Sequence, residues 1–210
     1  MHKPHDGFIL DDYPNGSITQ WYGQNPDIYR LWGMKAHNGI DTVAPWGSPL
    51  YAIEDSVVVE HTDDPKGYGR SIRLRAKKAV NGLYRCWTYG HLSEINVEPK
   101  QVVKAGQIVG KMGNTGFVVS GANPFWEYNP YAGTHLHLGL RLLKPSDTGW
   151  SYRYDNMKVE VVAYDNGYKG AVDPVMALKS IRPDDKRSKQ LTLLSLLNQT
   201  VALLKKLKQM

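Results

Sequence analysis

From Ile18 to Pro174 the chain alternates short apolar or period-two runs with clusters of turn residues, the pattern of half-buried antiparallel strands. The runs are Leu50 to Glu60 (LYAIEDSVVVE), Arg70 to Ala76 (RSIRLRA), Leu83 to Tyr89 (LYRCWTY), Gln107 to Met112 (QIVGKM) and His135 to Leu142 (HLHLGLRL). Turn signals at 63–67 (DDPKG), 81–82 (NG) and 113–116 (GNTG) separate them. Asn81-Gly82 predicts a two-residue hairpin turn, because both residues tolerate positive φ. After Arg182-Pro183-Asp184-Asp185 the character changes. Lys186 to Met210 has no Gly or Pro, Leu194, Leu197, Val201 and Leu204 recur at helical spacing, and Lys205, Lys206 and Lys208 fill the last turn. The expected fold is all-β, a mainly antiparallel and sandwich-like sheet with a narrow groove, plus a C-terminal amphipathic helix. That helix has three readings: docking on its own domain, self-association as a short coiled coil, or contact with a membrane surface.

Composition narrows this only a little. A chain of 210 residues holds one ordinary domain and an appendage, and 20 Gly, 13 Tyr and 6 Trp against 3 Phe suit a turn-rich β protein. The single cysteine, Cys86, excludes an internal disulfide and reads as a small buried apolar residue rather than a nucleophile. The formal charge of +6 favours polyanions, but much of the excess lies in the last 26 residues. No nucleic-acid-binding motif accompanies it, so no nucleic-acid partner is expected. The N-terminus lacks a basic stretch followed by an apolar one, and no run approaches transmembrane length.

The histidines carry the chemistry. A catalytic zinc takes three His or carboxylate ligands and keeps one position open, with two ligands often close in sequence. Three segments offer such residues: Ala36-His37-Asn38-Gly39-Ile40-Asp41, Thr88-Tyr89-Gly90-His91-Leu92-Ser93 and Thr134-His135-Leu136-His137-Leu138. Alternation on a strand points His135 and His137 to the same face. By itself this pair reads equally as two solvent-facing strand histidines. His61 matches none of these segments and reads as a surface residue, while His2 and His5 fall in a terminus expected to be mobile.

Taken in order, His-x-Gly-Ile-Asp-x-x-Ala-Pro-x-Gly-x-Pro from His37, Tyr-x-His-Leu-Ser from Tyr89, Gly-Asn-Thr-Gly from Gly113 and His-Leu-His from His135 resemble the lysostaphin-like, or LytM-type, zinc endopeptidases of bacterial cell walls. The resemblance runs from about His37 to Pro174 and includes 102–111 (VVKAGQIVGK) and Val172-Asp173-Pro174. It implies one zinc per chain on His37, Asp41 and His137, with His91 and His135 as the non-ligand histidines that move protons, and bacterial peptidoglycan as substrate. On this basis the peptidase domain is expected over 1–183, with a motif core at 37–174 and a lead-in at 1–36, and the helix over 184–210. A histidine base suits the chemistry, since no His-Glu-x-x-His helix is present.

The chain departs from the family pattern at two places. Residues 117–134 (FVVSGANPFWEYNPYAGT) intervene before His-Leu-His, so that Trp126 and Tyr128 are expected to wall the substrate groove together with Trp46 and Asn114. Packing of those aromatics onto the body is the other reading. Leu138-Gly139 stands where the family usually has Phe-Glu, which removes a carboxylate from beside the metal ligands. With the absent signal, a soft likeness of 18–31 to phage-associated relatives and the short tail, the expectation is a phage or prophage lysin, cytoplasmic until host lysis. A chain whose signal has been removed would instead be secreted. The alternatives are a non-catalytic wall-binding or amidase-activating member of the same fold, and a biotinyl or lipoyl carrier domain, which 97–113 (VEPKQVVKAGQIVGKMG) resembles without the carrier's lysine motif.

Overall fold

The computed structural model describes residues 2–8, 10, 16–120, 123–124 and 130–180. Its strands are β1 (Ile18–Gln20), β2 (Gly39–Thr42), β3 (Pro49–Tyr51), β4 (Ser56–Asp64), β5 (Gly69–Ala76), β6 (Tyr84–Ile95), β7 (Val102–Val103), β8 (Ile108–Met112), β9 (Val119–Ser120), β10 (Asn123–Pro124), β11 (Leu136–Trp150), β12 (Val159–Val161) and β13 (Ala171–Val172). Helices are short: α1 (Pro26–Tyr29), which runs into a 3-10 turn at Arg30–Trp32, and α2 (Pro174–Ser180). The main sheet runs β1-β2-β11-β6-β5-β4-β7; β12 and β13 add to β11, and β3 joins β6 through β8. Every pairing is antiparallel, as the alternating runs predict. The segment 184–210, and with it any self-association, lies outside the described residues, as do Trp126 and Tyr128.

Alternation in β11 divides the sheet into two faces. Leu136, Leu138 and Leu140 point to the main core with Trp87, Tyr89, Ile72 and Leu74, and Leu50, Val109 and Met112 of the β3–β8 pair close it. Each such side chain contributes about 1.5–3 kcal/mol by leaving water. The other face carries His137, Gly139 and Arg141, opposite Gly90, Thr88 and Cys86 of β6. It ends in a second cluster of Val59, Cys86, Leu143, Tyr152, Val159 and Val161, where Cys86 is buried as expected.

Local chemistry explains the breaks. Asn81 and Gly82 take φ of 51° and 76°, and Val80 and Leu83 exchange backbone hydrogen bonds of 2.8 and 3.1 Å, the tight turn that joins β5 to β6. The run from Leu50 to Glu60 divides into β3 and β4 because Glu54 turns inward between them. Its carboxylate accepts hydrogen bonds from Arg85 Nε and Nη2 at 2.7 and 2.6 Å and from Trp87 Nε1 at 2.6 Å. His5 corrects the expectation of a mobile terminus. It is 0% exposed, its Nε2 lies 3.0 Å from Thr42 Oγ1, and burial lowers its pKa to about 4 against the opposing charge of Asp6. The N-terminal segment is thus packed against β2, and His61 is half-buried with Nε2 donating to the Val97 carbonyl at 3.0 Å. No helix among the described residues is long and apolar enough to cross a membrane.

Glu54→Ala is expected to cost about 3 kcal/mol, because it leaves a guanidinium and an indole N–H without their acceptor. That corresponds to a Tm lower by roughly 6–12 °C for a domain of this size. A thermal scan that shows no fall would remove Glu54 from the stabilising framework.

Candidate functional site

Strand register builds the site. β11 lies between β2 and β6, so His137 sits opposite Asp41 on one side and Gly90 on the other. His37 precedes β2 and folds back beside both. His37 Nε2 lies 2.9 Å from His137 Nδ1, and each of these nitrogens lies 3.1 Å from Asp41 Oδ1. His37 and His137 are 0% and 3% exposed and Asp41 7%. Gly39 makes room for this packing: a Cβ there would meet His137 Cε1 at 2.7 Å.

The donor chemistry fits a cation. His37 Nδ1–H donates to the Trp21 carbonyl at 3.1 Å, which leaves Nε2 a lone pair directed at the others. Lone pairs of His37 and His137 and an anionic oxygen then converge on one point, an arrangement that repels itself unless a positive charge lies between. A tetrahedral ion with bonds of about 2.0–2.2 Å separates its ligand atoms by roughly 3.3 Å, close to the spacing here. Burial alone would raise the Asp41 pKa, but the neighbouring imidazoles of His37, His135 and His137 hold the carboxyl well below its ordinary range. His137 Nε2 is buried with no hydrogen-bond partner among the described residues, and a Cβ built on Gly139 would stand 3.5 Å from it.

His91, within β6, and His135, just before β11, complete the site, with ring centroids 4.6 Å apart. His91 occupies a bulge in β6, where φ of 64° puts a non-glycine residue in the left-handed region at a cost of about 1–3 kcal/mol. Its Nδ1–H donates to the Thr115 carbonyl at 2.8 Å, and His135 Nδ1–H donates to the Gly133 carbonyl at 2.7 Å. Both Nε2 atoms are therefore available as proton acceptors, His135 Nε2 lying 3.8 Å from Asp41 Oδ2. Burial, with the imidazoles of His135 and His137 close by, pushes the His91 pKa well below its ordinary value, so its ring is neutral at pH 7.

These residues open onto a cavity of about 590 Å³. Much of its apolar wall comes from the lead-in segment: Tyr29 lies 5.2 Å from His37 ring to ring, and Trp32 meets Phe117 edge-on at 4.9 Å. Tyr68 stacks on His137 at 4.7 Å, its hydroxyl paired with the Asn38 amide. Sequence reasoning missed Tyr29, Trp32 and Tyr68; an aromatic held between glycines after a turn, as in Gly67-Tyr68-Gly69, is the one signal available for the last. Trp46 and Asn114 stand outside the residues that line the cavity. Trp46 packs edge-on against Tyr131 at 5.3 Å, while Asn114 Nδ2 donates to the Pro130 and Ala132 carbonyls at 2.8 and 3.0 Å and so ties down the approach to His135.

Known proteins resemble this chain in sequence and in fold. The chain is 36% identical over 113 residues to glycyl-glycine endopeptidase ALE-1 of Staphylococcus capitis, covering 54% of this chain and 28% of that protein. It is 33% identical over 138 residues to the DD-carboxypeptidase/endopeptidase Mpg of Neisseria meningitidis serogroup B, covering 65% of this chain and 27% of that one. The chain thus spans less than a third of the length of either relative. Among solved structures, the catalytic domain of lysostaphin from Staphylococcus simulans superposes with a TM-score of 0.52 at 25% identity, over 83% of this chain and 98% of that domain. Residues 35–148, more than half of the sequence, match peptidase family M23, and the chain belongs to that family.

Proposed function

We propose that this chain is a zinc-dependent endopeptidase that hydrolyses peptide bonds in the stem or cross-bridge of bacterial peptidoglycan. The observation that carries the reading is the convergence of His37 Nε2, Asp41 Oδ1 and His137 Nδ1 beside two histidines whose Nε2 atoms are unengaged by the backbone. Relatives named as a glycyl-glycine endopeptidase and a DD-carboxypeptidase/endopeptidase support the substrate class. Zinc held by the three ligands supplies Lewis acidity at the scissile carbonyl and a water acidified toward neutrality. The chain's own residues do the rest. His135 and His91 accept the proton of the attacking water through Nε2 and return it to the leaving amine, while the carbonyls of Gly133 and Thr115 hold the rings in the required tautomer. The hydrogen bond from His37 to Trp21 orients the first ligand in the same way. Retention of all three ligands and both further histidines argues against a purely wall-binding or amidase-activating role.

The decisive measurement pairs zinc content with the clearing of a purified peptidoglycan suspension. The intact protein is expected to hold about one zinc and clear the suspension. His137→Ala should lose both properties, and His135→Ala should keep the metal while slowing hydrolysis by roughly 10²–10⁴-fold. A protein that binds zinc yet cleaves walls of no chemotype would leave the binding role standing in place of the hydrolase.

A second expectation concerns the orphaned His137 Nε2. Metal-bound histidines ordinarily donate their remaining N–H to a carboxylate, carbonyl or water, and such partners change affinity by about 10- to 100-fold. A Cβ at position 139 meets only ordinary contacts, 3.4 Å to Thr88 Cβ and 3.5 Å to His137 Nε2. Gly139→Glu should therefore tighten zinc binding by about tenfold or more in a chelator competition. An unchanged or weakened affinity would show that His137 has no need of that partner.

A further inference from the structure

The cavity continues past the metal ligands along the same face of the sheet, and its charge is unbalanced there. Alternation on β11 sends His137, Gly139 and Arg141 to this face, while Arg73 and Arg75 of β5 pair with Thr88 and Cys86, the residues opposite Gly139 and Arg141. Two of the three guanidiniums have carboxylates: Arg75 forms a two-pronged ion pair with Asp155, and Arg73 contacts Glu60. The Arg141 guanidinium has neither a hydrogen bond nor an ion pair among the described residues, although the residue is only half exposed and lines the cavity. Arg73 lines it too, and its Nε is buried without an acceptor. Tyr68 lies between the two regions: it stacks on His137, and the charge on Arg141 opposes the rise that burial imposes on its hydroxyl.

A half-buried guanidinium with no internal acceptor, aimed into a substrate cavity, is a receptor for a planar anion. We infer that Arg141, flanked by Arg73, forms a carboxylate-binding subsite that selects peptides with a free carboxylate near the bond to be cut, in preference to neutral glycine bridges. Arg141 lies four positions beyond His137, roughly 13 Å along β11. An extended peptide covers that distance in about four residues, so the recognised carboxylate lies within four residues of the scissile bond. The inference rests on the peptidase reading of the metal site.

The test compares a synthetic five-residue stem peptide carrying its free carboxylates with the same peptide fully amidated, using the intact zinc-loaded protein. Calorimetry gives the binding and chromatography gives the cleavage. The free acid is expected to bind about 10- to 100-fold more tightly, the range of one charge-assisted pair. Arg141→Gln should bring the ratio toward one by weakening the acid peptide, and Arg141→Lys should restore part of it. Equal affinities in the intact protein, binding of neither peptide, or a preference that survives Arg141→Gln would overturn the subsite. If Arg141→Gln does not fold, the comparison in the intact protein decides alone. Tighter binding of the acid with no cleavage of either peptide would remove the hydrolase and leave the subsite. Cleavage of both peptides with equal affinity and rate would do the reverse.

Discussion

A carboxylate sealed beneath imidazoles sets the terms for the rest of the structure. Asp41 stays ionised although almost no water reaches it, and a buried ion is tolerated only when charges and hydrogen bonds surround it. Those partners reach it only while β2 and β11 keep their register, which sets His137 opposite Asp41. A slip of one residue would turn His137 into the core and bring Leu138 to the carboxylate. Leu136, Leu138 and Leu140 forbid that slip, since all three would leave a dry core. The alternation that builds the core is therefore the same alternation that aims His137, and core stability and site geometry share one constraint.

The remaining site residues depend on exceptions to regular structure. His91 is turned toward His135 by a bulge in β6, and the bulge is anchored by the hydrogen bond from its N–H to the Tyr68 carbonyl at 2.7 Å. The loop that receives its ring can lie close only because glycines meet: Gly116, at φ of 80°, approaches Gly69 so nearly that a Cβ on either would strike backbone. Thr115 between them accepts from His91 through its carbonyl and donates to the Leu92 carbonyl through its hydroxyl at 2.8 Å. Gly-Asn-Thr-Gly is thus a positioning device: its Asn holds the approach to His135 and its Thr holds His91.

What could be read from the sequence follows from how local the signal is. Strand alternation and the Asn81-Gly82 turn are nearest-neighbour chemistry, and both appear where the pattern puts them. His37, Asp41, His91, His135 and His137 were legible because their short motifs state spacing and residue type together; the fold brings Asp41, His91, His135 and His137 to one cavity and buries His37 against His137 beside it. Tyr29, Trp32 and Arg141 carry no such local mark; they enter the cavity through pairings between residues far apart in the chain, which no window on the sequence contains. His5 was misread for the same reason, since the partner that buries it, Thr42, lies 37 residues away.

Taken together, the unfavourable features of the site bear on how folding and metal binding are linked. The left-handed His91 and the unpartnered His137 Nε2 each cost of order 1–3 kcal/mol, against a total stability of about 5–15 kcal/mol for a typical domain. Convergent lone pairs around Asp41 add repulsion of their own. Zinc on the proposed ligands would bind the folded chain and not the unfolded one, and would offset these terms directly. The ion pairs of Glu54 with Arg85 and of Asp155 with Arg75 involve none of the proposed ligands, and the leucine core occupies the opposite face. The sheet therefore has its own means of stability, while the β6 bulge that carries His91 and the segment before β11 that carries His135 lie at the costly end of the molecule. Metal on the proposed ligands should therefore act first on the segments that carry His91 and His135 and only secondarily on the sheet, which is the order the proposed mechanism needs if these two histidines are to be fixed beside the ion.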